Sequence, residues 1–394
     1  MKPAIFLVFL AGVFPCFLKA QKVNSEVKLK DLAVPNAPSF MILDISPSLI
    51  ENPTTPKEFA FGALQTMGQG EGWPQNYAME FTPYWWIKPE KRDVYQFLGL
   101  KKSKEPVVAG VENVSIYNPF SGMKFTNISM AFVNKDLIPD TSSLSQKIFS
   151  IGLHSNILKY NRPLYANELD KEINNWHQAV QAELTVLQEE LNQENDPVKR
   201  RKLQQQQNNK VLPVSSDISR KINAIINQKP LFSWDIAAAY SVYGINNDRF
   251  KTGRTGIWTT IASYFPFGKK TDEGNQNYLD LLLCSRYIHD NFSLSQSRLV
   301  TSNSLDAGGK IALEFARINI GAELLQRFYA DENRSSKTRA VGTISYRLDN
   351  NLYISGTFGK DFGPVNKIIT LFGLNWGFGD EKIDLPDEAI QNNN

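Results

Sequence analysis

From residue 310 onward, apolar and polar residues alternate with a period of two. Ile311, Leu313 and Phe315 share one face against Lys310, Ala312 and Glu314, and Ile320, Ala322, Leu324 and Phe328 oppose Gly321, Glu323 and Arg327. Ala340, Gly342, Ile344, Tyr346 and Leu348 oppose Arg339, Thr343, Ser345 and Arg347, while Ile368, Phe372, Leu374, Trp376 and Phe378 oppose Lys367, Gly373, Asn375 and Gly377. Successive strand side chains point to opposite faces, so each segment has one oily and one polar side. The same pattern predicts earlier strands over 76–87, 123–134, 147–160, 232–243, 257–267 and 278–289, with a fainter one over 107–117. The late strands fall at about 308–316, 319–330, 338–348, 352–359 and 366–378. A globular strand is usually about 5–6 residues long. Many of these run to about 9–12, the length that crosses a bilayer at a tilt of about 45°.

The period changes once. Leu169, Ile173, Trp176, Val180, Leu184, Leu187 and Leu191 recur every three or four residues, the mark of an amphipathic helix over 166–206. Asp196-Pro197 breaks it and caps a second helix, and a third starts after Asp217 through Ile218, Ile222 and Ile226. Residues 162–230 therefore read as a helical insertion between strands. It either folds back as a hairpin or presents residues 166–226 to a partner in the cell envelope. Residues 21–75 are dotted with proline and read as a periplasmic leader on the rim, or as a plug. Within them Thr55-Pro56-Lys57-Glu58 predicts a helix start with Phe59, Phe61, Leu64 and Met67 on its apolar side.

These elements predict an all-β fold: an antiparallel transmembrane β-barrel of about twelve strands (about 10–14), interrupted by the insertion, over residues 76–378. Short links at 119–121, 317–318 and 349–351 fall on one side, and longer polar ones at 136–146, 290–307 and 331–337 on the other. An even strand number puts the short links and the helical insertion on the periplasmic side.

Composition narrows the partners. Lys and Arg number 43 against 40 Asp and Glu, a net charge of +3, with no concentrated basic stripe to suggest nucleic acid. Mean hydropathy is −0.32, as expected if half of each spanning strand is polar. Residues 1–20, with Lys2, an apolar run and Ala20, have the form of a secretory signal peptide that carries Cys16 away. Cys284 is then alone, which leaves no disulfide and no cysteine-based metal site. His154, His177 and His289 lack ligand spacing, so no metal or cofactor is expected. Ser155 points away from His154, and no catalytic set emerges. Thr252-Gly253-Arg254 and Gly308-Gly309-Lys310 read as turns.

Together, the leader, the long alternating strands, the aromatics and a last strand ending Asn375-Trp376-Gly377-Phe378 resemble Gram-negative outer-membrane β-barrel proteins. The resemblance implies an outer-membrane location, contact with lipid, and delivery by the barrel-assembly machinery. The chain departs from that pattern by continuing as an acidic, Asn-rich tail over 379–394. Trp85, Trp86, Trp376 and Phe378 are the expected membrane-interface aromatics.

The candidate site is the set of charges expected to line the lumen. Glu80, Asp235, Asp280, Glu314 and Glu323 are acidic, and Arg286, Lys310, Arg327, Arg339, Arg347 and Lys367 are basic. A lipid-facing Arg or Lys at mid-bilayer costs about 2–4 kcal/mol, which explains the one-sidedness. Such charges either pair across a filled interior or line a polar pore. The expected function is a channel or transport protein for small polar solutes. The alternative is a closed barrel that anchors the helical insertion in an envelope complex.

Overall fold

In a computed structural model the chain is mostly antiparallel β-sheet with a few helices. The structure describes residues 26–28, 37–45, 59–62, 77–86, 94–102, 115–135, 146–162, 164–193, 196–208, 216–226, 228–245, 249–270, 276–295, 298–315, 317–331, 334–349, 352–362, 368–377 and 382–384. The signal-like segment 1–20 lies outside them. Strand β1 (Glu26–Lys28) and the one-turn helix α1 (Pro38–Met41) precede strands β2 (Phe59–Gly62) and β3 (Tyr77–Phe81). Helix α2 (Val94–Leu98) and the short strands β4 (Leu100–Lys102) and β5 (Ser115–Tyr117) lead to β6 (Asn127–Lys135) and β7 (Gln146–Tyr160). Three helices follow: α3 (Leu164–Gln193), α4 (Pro197–Asn208) and α5 (Ser216–Ile226). Then come β8 (Phe232–Ile245), β9 (Arg249–Phe267), β10 (Asn277–Ser295), β11 (Arg298–Phe315) and β12 (Ile318–Tyr329). Strands β13 (Lys337–Asp349), β14 (Leu352–Lys360), β15 (Ile368–Gly377) and β16 (Lys382–Asp384) complete the chain.

From β6 to β15 each strand pairs antiparallel with the next. Strand β3 joins β6, and β2 is hydrogen-bonded to both β3 and β15. The period-two pattern is expressed with an inverted burial. Leu283, Phe358, Leu324 and Ile311 are 66, 64, 58 and 57 % exposed, whereas Arg339 and Asp306 are 0 % and Arg286 is 1 % exposed. A water-soluble sheet does the opposite, burying Leu and Ile and leaving Arg and Asp in solvent. Register reinforces the arrangement, because Arg286 lies opposite Asp306, Asp306 opposite Arg327, and Lys310 opposite Glu323. A slip by one residue would turn all of them onto the apolar face.

Residues 37–45 lie against the buried face. Met41, Ile42 and Leu43 pack with Val133, Ile148, Ala237, Tyr243, Trp258 and Ile288. Gly152 permits this approach, since a Cβ there would stand 2.7 Å from the Pro38 Cβ and 2.8 Å from the Ser39 nitrogen. In the helical insertion, Leu169, Ile173 and Trp176 of α3 and Ile222, Ile225 and Ile226 of α5 are buried where the two helices pack. Among the described residues no helix is long and apolar enough to cross a membrane, which leaves strands untouched as a means of crossing.

Several expectations are corrected. The helix expected from Thr55 is a strand over Phe59–Gly62: its phenylalanines alternate, and ladders on both sides outweigh a capping signal whose first residues lie outside the description. The strand expected over 76–87 ends at Phe81, and Pro83, which has no N–H for a ladder, begins a 3-10 helix (Pro83–Trp86). Trp85 and Trp86 therefore stand on that turn rather than at a strand end. Ser115–Tyr117 pairs with Leu100–Lys102 in a separate small sheet, so the fainter segment 107–117 adds nothing to the main sheet. Residues 119–125 form a 3-10 helix whose start is capped by Asn118, which accepts from the Phe120 N–H at 3.0 Å, and the next strand begins only at Asn127. The expected loop 290–307 is instead the extension of a hairpin between β10 and β11, with cross-strand pairing out to Ser295 and Arg298. Thr252-Gly253-Arg254 and Gly308-Gly309-Lys310 lie within β9 and β11, not in turns. The acidic, Asn-rich tail contributes a strand, Lys382–Asp384, which pairs with Glu26–Lys28.

A buried arginine–aspartate cluster as the candidate functional site

Three neighbouring strands supply a knot of charge. Arg286 of β10 and Arg327 of β12 flank Asp306 of β11. Nε and Nη2 of Arg286 donate to Asp306 Oδ2 at 2.9 and 2.7 Å. Arg327 donates from Nε to Oδ1 at 2.7 Å and from Nη2 to Oδ2 at 2.9 Å. Arg254 of β9 stands beside them and donates from Nε to Asp290 Oδ2 at 2.9 Å.

Asp44, from the segment on the buried face, is held by all three arginines. Arg286 Nη2 reaches its Oδ1 at 2.7 Å, Arg254 Nη1 its Oδ2 at 3.0 Å, and Arg327 spans both oxygens at 3.1 and 3.2 Å. Arg286 Nη1 also donates to the Met41 carbonyl at 2.8 Å. Burial alone would push the Asp44 carboxyl up, but Arg327, Arg286 and Arg254 outweigh it and hold the group well below the usual carboxylate range. Asp44 sits at φ +57°, in the left-handed region that non-glycine residues enter infrequently. The cluster is balanced: three guanidiniums face the carboxylates of Asp44, Asp290 and Asp306.

Three smaller groups share the buried face. Lys229 donates to Asp280 at 2.8 Å and to Glu314 at 2.6 Å, with its ammonium 4.8 Å from the centre of the Tyr264 ring. Burial opposes its charge, but Glu314 and Asp280 outweigh this and raise it above the ordinary lysine range. Arg339 donates to Glu323 at 3.0 Å and to Asp361 at 2.9 Å. His154 Nε2 lies 3.0 Å from Asp235, which also accepts from Asn156 at 3.1 Å. Ser155 is turned the other way, its hydroxyl 2.8 Å from that of Thr126. His289 Nδ1 lies 2.8 Å from Asn303 Oδ1.

Glu80, Asp235, Asp280, Arg286, Lys310, Glu314, Glu323, Arg327, Arg339 and Arg347 are all buried, and Lys367 falls outside the described residues. The structure brings Arg286 to Arg327 through Asp306, and Arg339 to Glu323. The side chains of Trp85, Trp86 and Trp376 are not described, and Phe378 lies beyond the last residue of β15. Asp44, Lys229, Arg254, Asp290, Asp306 and Asp361 were not anticipated. For Asp306 a signal existed: counting back by twos from Glu314 through Ala312 and Lys310 places it on their face. Asp44 carries no such period. Among the described residues no group of three or more His, Cys, Asp or Glu could hold a metal ion. Comparison with protein-family models and with curated proteins finds no match.

Proposed function

We propose that the chain is an outer-membrane β-barrel protein that passes small polar solutes, its interior occluded in this structure by residues 37–45. The observation that carries the membrane reading is the inverted burial, with large aliphatic and aromatic side chains facing out and Arg, Asp and Glu facing in. On this reading the main sheet closes as a twelve-stranded barrel. Support comes from β2, which pairs with β3 on one side and β15 on the other. Closure of that kind leaves no sheet edge exposed to lipid, where an unpaired backbone group is costly. The helical insertion then shares the periplasmic side with the short links at 316–317 and 350–351, and assembly would require the barrel-assembly machinery. On this reading the interior is walled by charge and holds residues 37–45, a segment that the main-sheet strands do not need for their own pairing.

A second reading is favoured by one observation, the pairing of interior charges with one another. A barrel sealed in this way serves as an anchor for the helices over Leu164–Ile226 and an envelope partner. Planar-bilayer recordings separate the two. Under the transport reading, replacing residues 37–45 by an equal length of glycine and serine gives open-channel current where the native protein gives little. Conductance equal to bare lipid for both proteins overturns transport and leaves the anchor. Release of the protein from membranes by carbonate or urea overturns the membrane reading itself.

A further inference from the structure

We infer that Arg254, Arg286 and Arg327 form a binding site for a small carboxylate-bearing anion, which Asp44 occupies as a built-in stand-in. The inference rests on the proposed barrel interior. It adds a ligand class and a means by which the interior opens.

Charge balance is the first argument. With Asp44 in place, three guanidiniums meet three carboxylates. With Asp44 withdrawn, Asp290 and Asp306 remain against three arginines, and one positive charge is left in a site where Arg286 is 1 % and Arg327 is 8 % exposed. A buried unpaired charge is strongly unfavourable, so the vacated site demands a monoanion. Geometry is the second. Arg327 presents two nitrogens to the two oxygens of Asp44, and Arg286 and Arg254 each add one donor to one of them. This four-donor cradle suits a planar carboxylate, the group a guanidinium fork matches best. The third is the tether. Asp44, itself in the left-handed region, is delivered by a short segment, and neither Asp44 nor α1 is part of the main sheet. A competing carboxylate that takes the cradle frees residues 37–45 without breaking a strand.

The test uses full-length protein refolded in phospholipid vesicles. Asp44→Gly removes the carboxylate while suiting the positive φ. Sodium acetate, sodium phosphate and sodium chloride are compared at equal ionic strength. Acetate is expected to raise the unfolding midpoint of D44G toward that of the native protein. Phosphate, a tetrahedral anion that is partly doubly charged at neutral pH, and chloride, a single atom with no oxygen pair to offer a guanidinium fork, are expected to do less. Asp44→Asn, whose amide fills the cradle, and the double variant D44G/R327M are expected to show no acetate-specific gain. Equal shifts with acetate and chloride, or the same acetate gain in D44G/R327M, overturn the proposal. If D44G fails to fold, Ser39→Cys in the native background serves. Ser39 is a buried residue of α1 itself, so acetate should speed the reaction of its cysteine variant with a water-soluble maleimide where chloride does not, and equal rates overturn the site. Acetate rescue without current in bilayers keeps the site and removes transport, whereas current without acetate rescue does the reverse.

Discussion

Asp306 bridges Arg286 and Arg327 through four hydrogen bonds of 2.7–2.9 Å and is 0 % exposed. Asp306→Asn keeps the shape of the side chain and removes its charge. With the amide oxygen in the place of Oδ2, three of those donors still meet it, but the cluster is left with one positive charge in excess. Removing one partner of a buried ion pair costs about 3–5 kcal/mol. Because Asp44 still contacts both guanidiniums, the lower end applies, about 3 kcal/mol. A reverting partner sharpens the test: Asp306→Asn combined with Arg286→Met restores charge balance. The double variant should then be more stable than the sum of the single losses by about 2 kcal/mol, within the range measured for residues in one network. Urea unfolding in lipid vesicles, followed by tryptophan fluorescence and extrapolated to zero denaturant, gives each value. A loss below about 0.5 kcal/mol for D306N, the size of an ordinary surface change, would refute a charge-balanced cluster. Strict additivity of the two substitutions would refute the coupling.

Cysteine at 324 should react with a lipid-soluble thiol reagent and cysteine at 323 or 327 with an aqueous one, because Leu324 is exposed on the apolar face while Glu323 and Arg327 are buried; the reverse pattern would mean a register shifted by one residue. Asp44 contributes stability that is fully present above the unfolded carboxylate value of about 3.9 and is lost as the pH falls through its lowered folded value. The stability gap between native protein and Asp44→Asn should therefore be constant at neutral pH and close only below about pH 4. Lys229 has the opposite sign: its contribution is full below the unfolded value of about 10.4 and is lost as pH rises through the raised folded one. Lys229→Met should accordingly cost stability at pH 7, and the difference should begin to shrink only above about pH 10.4. Gly152→Val should loosen residues 37–45, measured as faster maleimide labelling of Ser39→Cys, since even a Cβ meets Pro38 and the Ser39 nitrogen below 3 Å.

What could be read from the sequence follows the physics of each segment. Strands β8, β10, β12 and β13 are legible because one face carries large apolar side chains and the other carries charge, so neighbouring residues differ sharply, as in Leu281, Leu283 and Tyr287 against Asp280, Cys284 and Arg286. The outer half of the β10–β11 hairpin is illegible for the converse reason. Ser302 and Ser304 on the buried face alternate with Thr301 and Asn303 on the exposed one, so both faces are polar and no period appears. Strand β2 is too short for a period, and its place is decided by its partners, β3 next in the chain and β15 far from it in sequence. The side chains that complete the charge clusters come largely from segments without alternation: Asp44 and Lys229 from connecting chain, and Asp361 from just beyond β14. Pairing on the buried face between Arg339 and Glu323 could be read, because adjacent strands bring them close. Arg327 shares their face but turns to Asp306, directly opposite it on β11, and to Asp44.

The same distances impose an order on assembly. Asp44 binds residues 210, 242 and 283 positions away in the chain, contributed by β9, β10 and β12. Contacts of such separation form only after the intervening chain is ordered, because closing long loops costs entropy before any contact repays it. Residues 37–45, which precede all three arginines in the chain, therefore dock last, into a cradle whose register is already set by the β10–β11 and β11–β12 ladders. Until it docks, the three arginines have two carboxylates between them. The cradle is thus at its most receptive to a foreign carboxylate during folding, and the built-in one wins by proximity, since a tethered group acts at a high effective concentration. On the proposed transport reading, closure and selectivity share one cause: the carboxylate that seals the interior is also the group against which any entering anion must compete.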